Sequence, residues 1–297
     1  MTLFGGIEGG GTKFVCAVGA GPDKLLAESR FPTTSPGETL GRAVAFFKGQ
    51  ETKLGKISAL GMASFGPIDP RPGSPTFGHV MATPKPGWSG ADLVTALKSS
   101  FDIPIGFDLD VNAAALAEWQ WGAMKNCNPS VYITVGTGIG GGVMVDGQLI
   151  HGLLHPEMGH VLLPHDRTTD PFPGSCPFHG DCFEGLATGP AMEKRWGQKA
   201  ETLPVDHPAW ALEAHYISMA LMGFILTLSP QRIVLGGGVM EQTQMFPMIH
   251  REVRTLLNGY FQSDQILEHI EDYIVPTGLG GKAGVLGAIA LAQQARE

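Results

Sequence analysis

The stretch CPFHGDC sets Cys176, His179 and Cys182 at three-residue intervals, and HPEMGH ends upstream on His160. Two thiolates and two imidazoles are the donors of a closed tetrahedral zinc site, which leaves no open position and therefore serves structure rather than Lewis-acid chemistry. Two plainer readings compete: a Cys176–Cys182 disulfide, uncommon in a reducing compartment, and a surface segment that holds nothing. Glu157 lies three residues before His160, and Glu184 two after Cys182, so one metal would turn both carboxylates toward a common cleft. Carboxylates there would accept hydrogen bonds from a polar ligand.

A second kind of chemistry is written in glycine. EGGGTK (8–13), GTGIGGG (136–142) and LGGGV (235–239) each follow a strand-like run. Such turns admit positive φ and leave main-chain N–H groups open to an anion, and Thr137 adds a hydroxyl beside Gly136 and Gly138. The bland reading is that each merely closes a hairpin. None has the spacing of a P-loop, and none is a G-x-G-x-x-G turn opening a helix, so nicotinamide binding is disfavoured. Asp110 ends the strand-like IPIGFDL and begins DVNAAALAEWQWG; locally it reads equally well as a helix N-cap.

The elements that must carry these residues come in two rounds. Strands over LFGGI, FVCAVGA and KLLAESR precede a helix near 37–50, the strand ISALGMAS, a helix near 90–100 and the strand IPIGFDL. SVYITVG and GGGVMVDG then begin again, followed by helices near 188–196 and 208–228, RIVLGG, a helix over 242–257, DYIVPTG and a last helix from about 282. Two similar α/β halves are expected. The helix DVNAAALAEWQWG and the final KAGVLGAIALAQQ are small on one side, which favours a hinge between the halves.

The 297 residues, 43% hydrophobic, suffice for two ordinary domains. Forty-two glycines, about twice average usage, fall in clusters. The net charge of −8 gives no footprint for nucleic acid. No apolar stretch is expected to approach the roughly 20 residues that span a bilayer, and no signal-type segment is seen, so the chain reads as soluble and cytoplasmic. Cys16 reads as a small buried hydrophobe and Cys127 has no visible partner.

In this order the motifs resemble those of the ROK family (repressor, open reading frame, kinase) of sugar kinases, within the actin-like ATPase superfamily. EGGGTK resembles the first phosphate motif, GTGIGGG the second and LGGGV the adenosine motif, while DVNAAALAE and the last helix resemble the two interdomain connectors. The resemblance covers nearly the whole chain. It implies two actin-like (ribonuclease H-like) α/β domains flanking a nucleotide and sugar cleft, over 1–111 and 112–297, the second with a zinc-binding loop and a final helix (about 282–295) able to pack back on the first. It implies Asp110 as the catalytic proton acceptor, D-x-N spacing preferring it to Asp108, with Asn112, Glu157, His160 and Glu184 on the sugar. ATP would lie on Gly10, Gly11, Thr12, Lys13, Thr137, Gly138, Pro190, Gly236, Gly237, Gly238, Val239 and Met240. His160, Cys176, His179 and Cys182 would hold structural Zn²⁺, and Mg²⁺ would accompany ATP. Glu8 stands where the family has an aspartate that helps hold Mg²⁺ through water.

CPFHGDCFEG departs from the family's usual C-x-C-G-x-x-G-C and looks like the fructokinase branch. The implied activity is transfer of the ATP γ-phosphoryl group to the 6-hydroxyl of fructose, with glucose, mannose or an N-acetylated hexosamine as alternative substrates. A sugar-sensing repressor is disfavoured, since the first strand begins within a few residues of Met1, and a filament-forming ATPase leaves the Cys/His cluster unexplained. ASFGPIDP and TPKPGWSG resemble sugar-side loops. A sugar and a nucleotide are the implied partners, with no nucleic acid, no membrane and room for a homodimer.

Overall fold

A computed structural model describes residues 1–296. By packing, the chain forms two units: Met1–Lys125 with Leu149–His155 and Leu279–Glu297, and Asn126–Gln148 with Pro156–Gly278.

In the first unit, β1 (Leu3–Gly9), β2 (Lys13–Gly19) and β3 (Leu25–Pro32) form an antiparallel meander, and β4 (Ile57–Ser64) and β5 (Ile105–Leu109) extend it in parallel, in the order β3-β2-β1-β4-β5. The central strands are buried almost throughout and read as continuous apolar runs, whereas edge strand β3 alternates and shows Glu28 and Arg30 to solvent. Helix α1 (Pro36–Leu54) starts at Ser35, whose side chain accepts the Glu38 N–H, and buries Leu40, Ala43 and Phe47 along one stripe. Helices α2 (Leu93–Lys98) and α3 (Asp110–Trp121) flank β5 in sequence.

In the second unit, β6 (Ser130–Val135), β7 (Ile139–Val145) and β8 (Gln148–Leu149) are followed by α4 (Phe183–Ala187), α5 (Gly189–Trp196), α6 (Ala209–Leu228), β9 (Arg232–Gly236), α7 (Met245–Leu257), α8 (Asp264–Leu267), α9 (Ile270–Tyr273) and β10 (Ile274–Pro276). The sheet order β10-β9-β6-β7-β8 repeats the first: an antiparallel start, then parallel strands added beside the first strand. The expected repeat is therefore one of topology, strand for strand.

The chain ends in α10 (Ala283–Arg296), which packs on β1, β4, β5 and α3. Its small residues permit backbone contact: a Cβ on Gly287 would stand 1.9 Å from the Ala113 carbonyl oxygen, and one on Gly61 of β4 1.8 Å from that of Ala288. This close crossing is why α3 packs with the first unit, which differs from a boundary at 111/112.

Contrary to the expectation of no long apolar stretch, α6 is long and apolar enough to cross a membrane by length and composition. Polar Glu213, His215 and Ser218 interrupt the run to the eye. Trp210, Ile217, Leu221 and Ile225 are all buried, as befits a core helix. Glu213 is itself 1% exposed, and neither carboxyl oxygen has a hydrogen-bond partner among the described residues. Burial pushes its pKa up to about 8, against a smaller opposite pull from Arg195.

Between the ordinary carboxyl pKa and about 8 the folded chain keeps a proton that the unfolded chain releases, so this group costs stability as pH rises through that window. Glu213→Gln is expected to match the wild type below about pH 4.5 and to gain on it up to pH 8, by on the order of 5 kcal/mol. Denaturant melts at several pH values test this; a difference independent of pH would contradict it.

Candidate functional site

The first glycine turn caps the β1–β2 hairpin. The Gly10 N–H donates to the Lys13 carbonyl, and Thr33 staples the turn by donating its hydroxyl to Gly10 O (2.7 Å) and its N–H to Thr12 O (2.9 Å). None of Gly9, Gly10 and Gly11 adopts a positive φ, so backbone handedness is not what calls for glycine here. At Gly9 it is space, since a Cβ there would stand 2.8 Å from the Phe14 ring; at Gly11 a Cβ would meet nothing, so neither space nor handedness requires glycine there. Gly11, Thr12 and Lys13 are exposed.

The loop TPKPGW brings a cation that sequence reasoning did not single out. Trp88 is fully buried, donates its Nε1–H to Thr34 O at 2.8 Å and packs on Phe14 and Phe65. Lys85, three residues earlier, donates to the Gly11 carbonyl. Its signal was the loop's buried tryptophan, which makes the loop part of the turn's wall.

Glu8, at the end of β1, lies over the start of α10: a Cβ on Gly284 would meet its carboxyl carbon at 2.5 Å. Burial raises its pKa, while Lys13, Arg30 and the Val285 N–H pull the other way.

Asp110 is the first residue of α3 rather than its N-cap, which is Leu109; its Oδ1 accepts the Val111 N–H at 2.8 Å, and it is half-buried. Asp108 is 4% exposed with both oxygens engaged. Its Oδ1 takes the Leu109 N–H (2.7 Å) and the Asn112 amide (2.8 Å), and Oδ2 faces His151 Nε2 at 2.8 Å. The hydrogen bond to Asp108, more than burial opposes it, raises the His151 pKa. A carboxylate so occupied is a poor proton acceptor for a substrate, which favours Asp110. Asn112 is buried with its amide given to Asp108, a commitment the sequence did not show.

In the second unit, Gly136 and Gly138 close the β6–β7 turn, with the Gly136 N–H on Gly138 O and the Gly189 N–H on Gly136 O. Beyond β9, Gly237 has φ +89°, and a Cβ there would lie 2.4 Å from Val135 O, so the turn from β9 requires glycine. These turns and the start of α5 wall a cavity of about 500 Å³, lined by Gly136, Thr137, Pro190, Lys199, Gly238 and Val239 among others. Its size suits a nucleotide. Of the expected residues in this unit, Thr137, Pro190, Gly238 and Val239 line it, while Gly138, Gly236, Gly237 and Met240 do not. Gly236 instead gives room to the Tyr132 hydroxyl, and Met240 is buried. Glu193 on α5, and Lys199 and Glu201 at the 3₁₀ turn that follows it, line the cavity unforeseen. Gly10, Gly11, Thr12 and Lys13 belong to the first unit.

The four metal-ligand candidates come together, their donor atoms within 4.8 Å of one another. His160 Nδ1 lies 3.7 Å from Cys176 Sγ and 3.6 Å from Cys182 Sγ, and His179 Nδ1 3.8 Å from Cys176 Sγ. Tetrahedral zinc, with bonds of about 2.3 Å to sulfur and 2.0 Å to nitrogen, spaces its donors roughly 3.3–3.8 Å apart, so the set fits one Zn²⁺. Both cysteines are free thiols, which sets the disulfide reading aside. Burial pushes the Cys182 thiol up to about 11, so uptake of a cation would release protons. With Nδ1 turned to the sulfurs, His160 Nε2 faces Glu184 Oε1 at 3.9 Å. Glu184 Oε2 accepts the Ile139 N–H at 3.0 Å, tying α4 to the second glycine turn. Glu157 is exposed at the head of the short 3₁₀ turn that ends in His160.

Two sheets of one topology, each with a glycine turn in its first hairpin, are the architecture of the actin-like α/β class, and one of them carries a nucleotide-sized cavity. Residues 4–295 match the ROK family. The chain is 46% identical over 296 residues to the fructokinase of Zymomonas mobilis (98% of this chain, 96% of the relative) and 42% identical over 293 to that of Pediococcus pentosaceus (99% and 98%). Among solved structures, the ROK hexokinase of Thermus thermophilus superposes with a TM-score of 0.79 at 26% identity, covering 99% of this chain and 98% of that one. This protein belongs to the ROK family, as a sugar kinase.

Proposed function

We propose that this protein is an ATP-dependent fructokinase, converting ATP and D-fructose to ADP, fructose 6-phosphate and a proton. The observation that carries the reading is identity above 40% to curated fructokinases along nearly the full chain. The Cys/His cluster in its CPFHGDC form agrees with it.

In the reaction, the cavity walled by Thr137, Pro190, Gly238 and Val239 in the second unit holds the nucleotide; in the first unit the exposed turn Gly11–Lys13 carries a cation and main chain that suit a phosphate. In the second unit Glu157, Glu184 and His160 Nε2 suit sugar hydroxyls, and a bound zinc would fix the orientation of His160; in the first unit Asp110, with Asn112 two residues on, suits the hydroxyl that reacts. Asp110 accepts the 6-hydroxyl proton as the oxygen attacks the γ-phosphorus and the bond to the β-phosphate oxygen breaks. Glu8, a half-buried carboxylate that accepts the Val285 N–H, would hold Mg²⁺ through water, and the metal would supply charge neutralisation at the phosphates.

Rates of ADP formation with fructose, glucose, mannose and N-acetylmannosamine, each with MgATP, test the substrate. Fructose is expected to show a kcat/KM at least about tenfold above the others, since discrimination rests on hydroxyl contacts. A larger value for any other hexose would replace fructose.

A further inference from the structure

His151 lies on Leu149–His155, a segment that packs with the first unit although the chain before and after it belongs to the second. Its Nε2 meets Asp108 Oδ2 at 2.8 Å, and its ring also bonds to the Leu149 carbonyl, so the imidazole is held from two sides. Asp108 in turn grips the last peptide N–H of β5 and, through Asn112, the first turn of α3. Those two grips lie on either side of Asp110. A carboxylate this buried is costly unless paired, and the ion pair it makes among the described residues is with His151.

We propose that His151 is a positioning residue for Asp110, acting through Asp108 to fix the β5–α3 junction so that the Asp110 carboxylate keeps one orientation toward the sugar hydroxyl. The inference rests on reading Asp110 as the proton acceptor. His151 touches no substrate in this arrangement. Its removal leaves Asp108 Oδ2 buried without its hydrogen-bond partner, and the junction relaxes. Displacement of a reacting group by about 1 Å can cost up to a hundredfold in rate.

A double-mutant cycle on the full chain tests this, with kcat and both KM values measured for the wild type, His151→Leu, Asp110→Asn and the pair. His151→Leu is expected to lower kcat about tenfold with both KM values within about threefold. In the Asp110→Asn background the same change should cost less than about twofold, because the group it positions no longer takes the proton. His151→Gln, which keeps a neutral N–H donor, should recover kcat to within about threefold of wild type, and it supplies the cycle if the leucine variant does not fold. Equal losses in both backgrounds, a loss confined to KM, or no loss overturns the proposal. Near-normal turnover of Asp110→Asn alone would instead overturn the assignment of Asp110. A wild type inactive on fructose would overturn only the substrate, and the cycle is then read on the hexose it does use.

Discussion

Asp110→Asn is expected to lower kcat by at least about a hundredfold while leaving the Kd for ATP within about threefold. The amide is isosteric but cannot take up the hydroxyl proton, and positioned proton transfer contributes about 10²–10⁴ in rate. Asp110 opens α3, where its Oδ1 accepts the Val111 N–H, a bond the amide oxygen can keep, so folding should be spared. No residue of the 500 Å³ cavity comes from this helix, which is why nucleotide binding should hardly respond. Single-turnover phosphoryl transfer, with ATP affinity measured separately by calorimetry, checks both halves. Turnover within about fivefold of wild type would remove Asp110 from the chemistry.

The second large effect concerns the metal. Purified protein should carry about one zinc per chain, and stripping it should raise KM for fructose by at least about tenfold, with KM for ATP changing by less than about threefold. The argument is local. His160 and Cys182 are placed by the cluster, and Glu157 and Glu184 lie three and two residues from them, so loss of the metal frees the carboxylates as well as the ligands. None of the four Cys/His residues lines the 500 Å³ cavity proposed for the nucleotide. Some effect on ATP is still expected, because Glu184 holds the Ile139 N–H beside the turn that supplies Thr137. Cys182→Ser should reproduce the stripped protein. Elemental analysis without zinc, or a zinc-free protein with unchanged fructose KM, would sever the link between metal and sugar.

Much of this was legible in the chain itself. The alternation of β3 and the apolar runs of β1, β4, β6 and β9 gave strands within a few residues, because hydrophobic periodicity is a local property. Short α4, α8 and α9 were not anticipated, since four or five residues carry too little periodicity to separate from loop. Positive φ and an open main chain are the sequence's reasons for glycine in the first turn; the structure adds, at Gly9, a need for room beside Phe14, and shows no positive φ. That distinction depends on a neighbour's ring, not on the turn.

Residue type and spacing alone determined the chain's chemistry: a four-donor Cys/His set, three glycine turns in order, and a carboxylate at a strand-to-helix junction. Each is encoded within a few consecutive residues, or as a motif order that survives without coordinates. Tertiary structure decided what those groups are free to do. It spent Asp108 on His151 and Asn112, turned the Nδ1 of His160 to the thiols and left Nε2 facing Glu184, and placed Lys85 on the first glycine turn. Apart from the Asp108–Asn112 pair at the β5–α3 junction, these partners lie between 16 and 74 residues apart, and a contact across such a separation depends on the packing of the elements between, which no local pattern records.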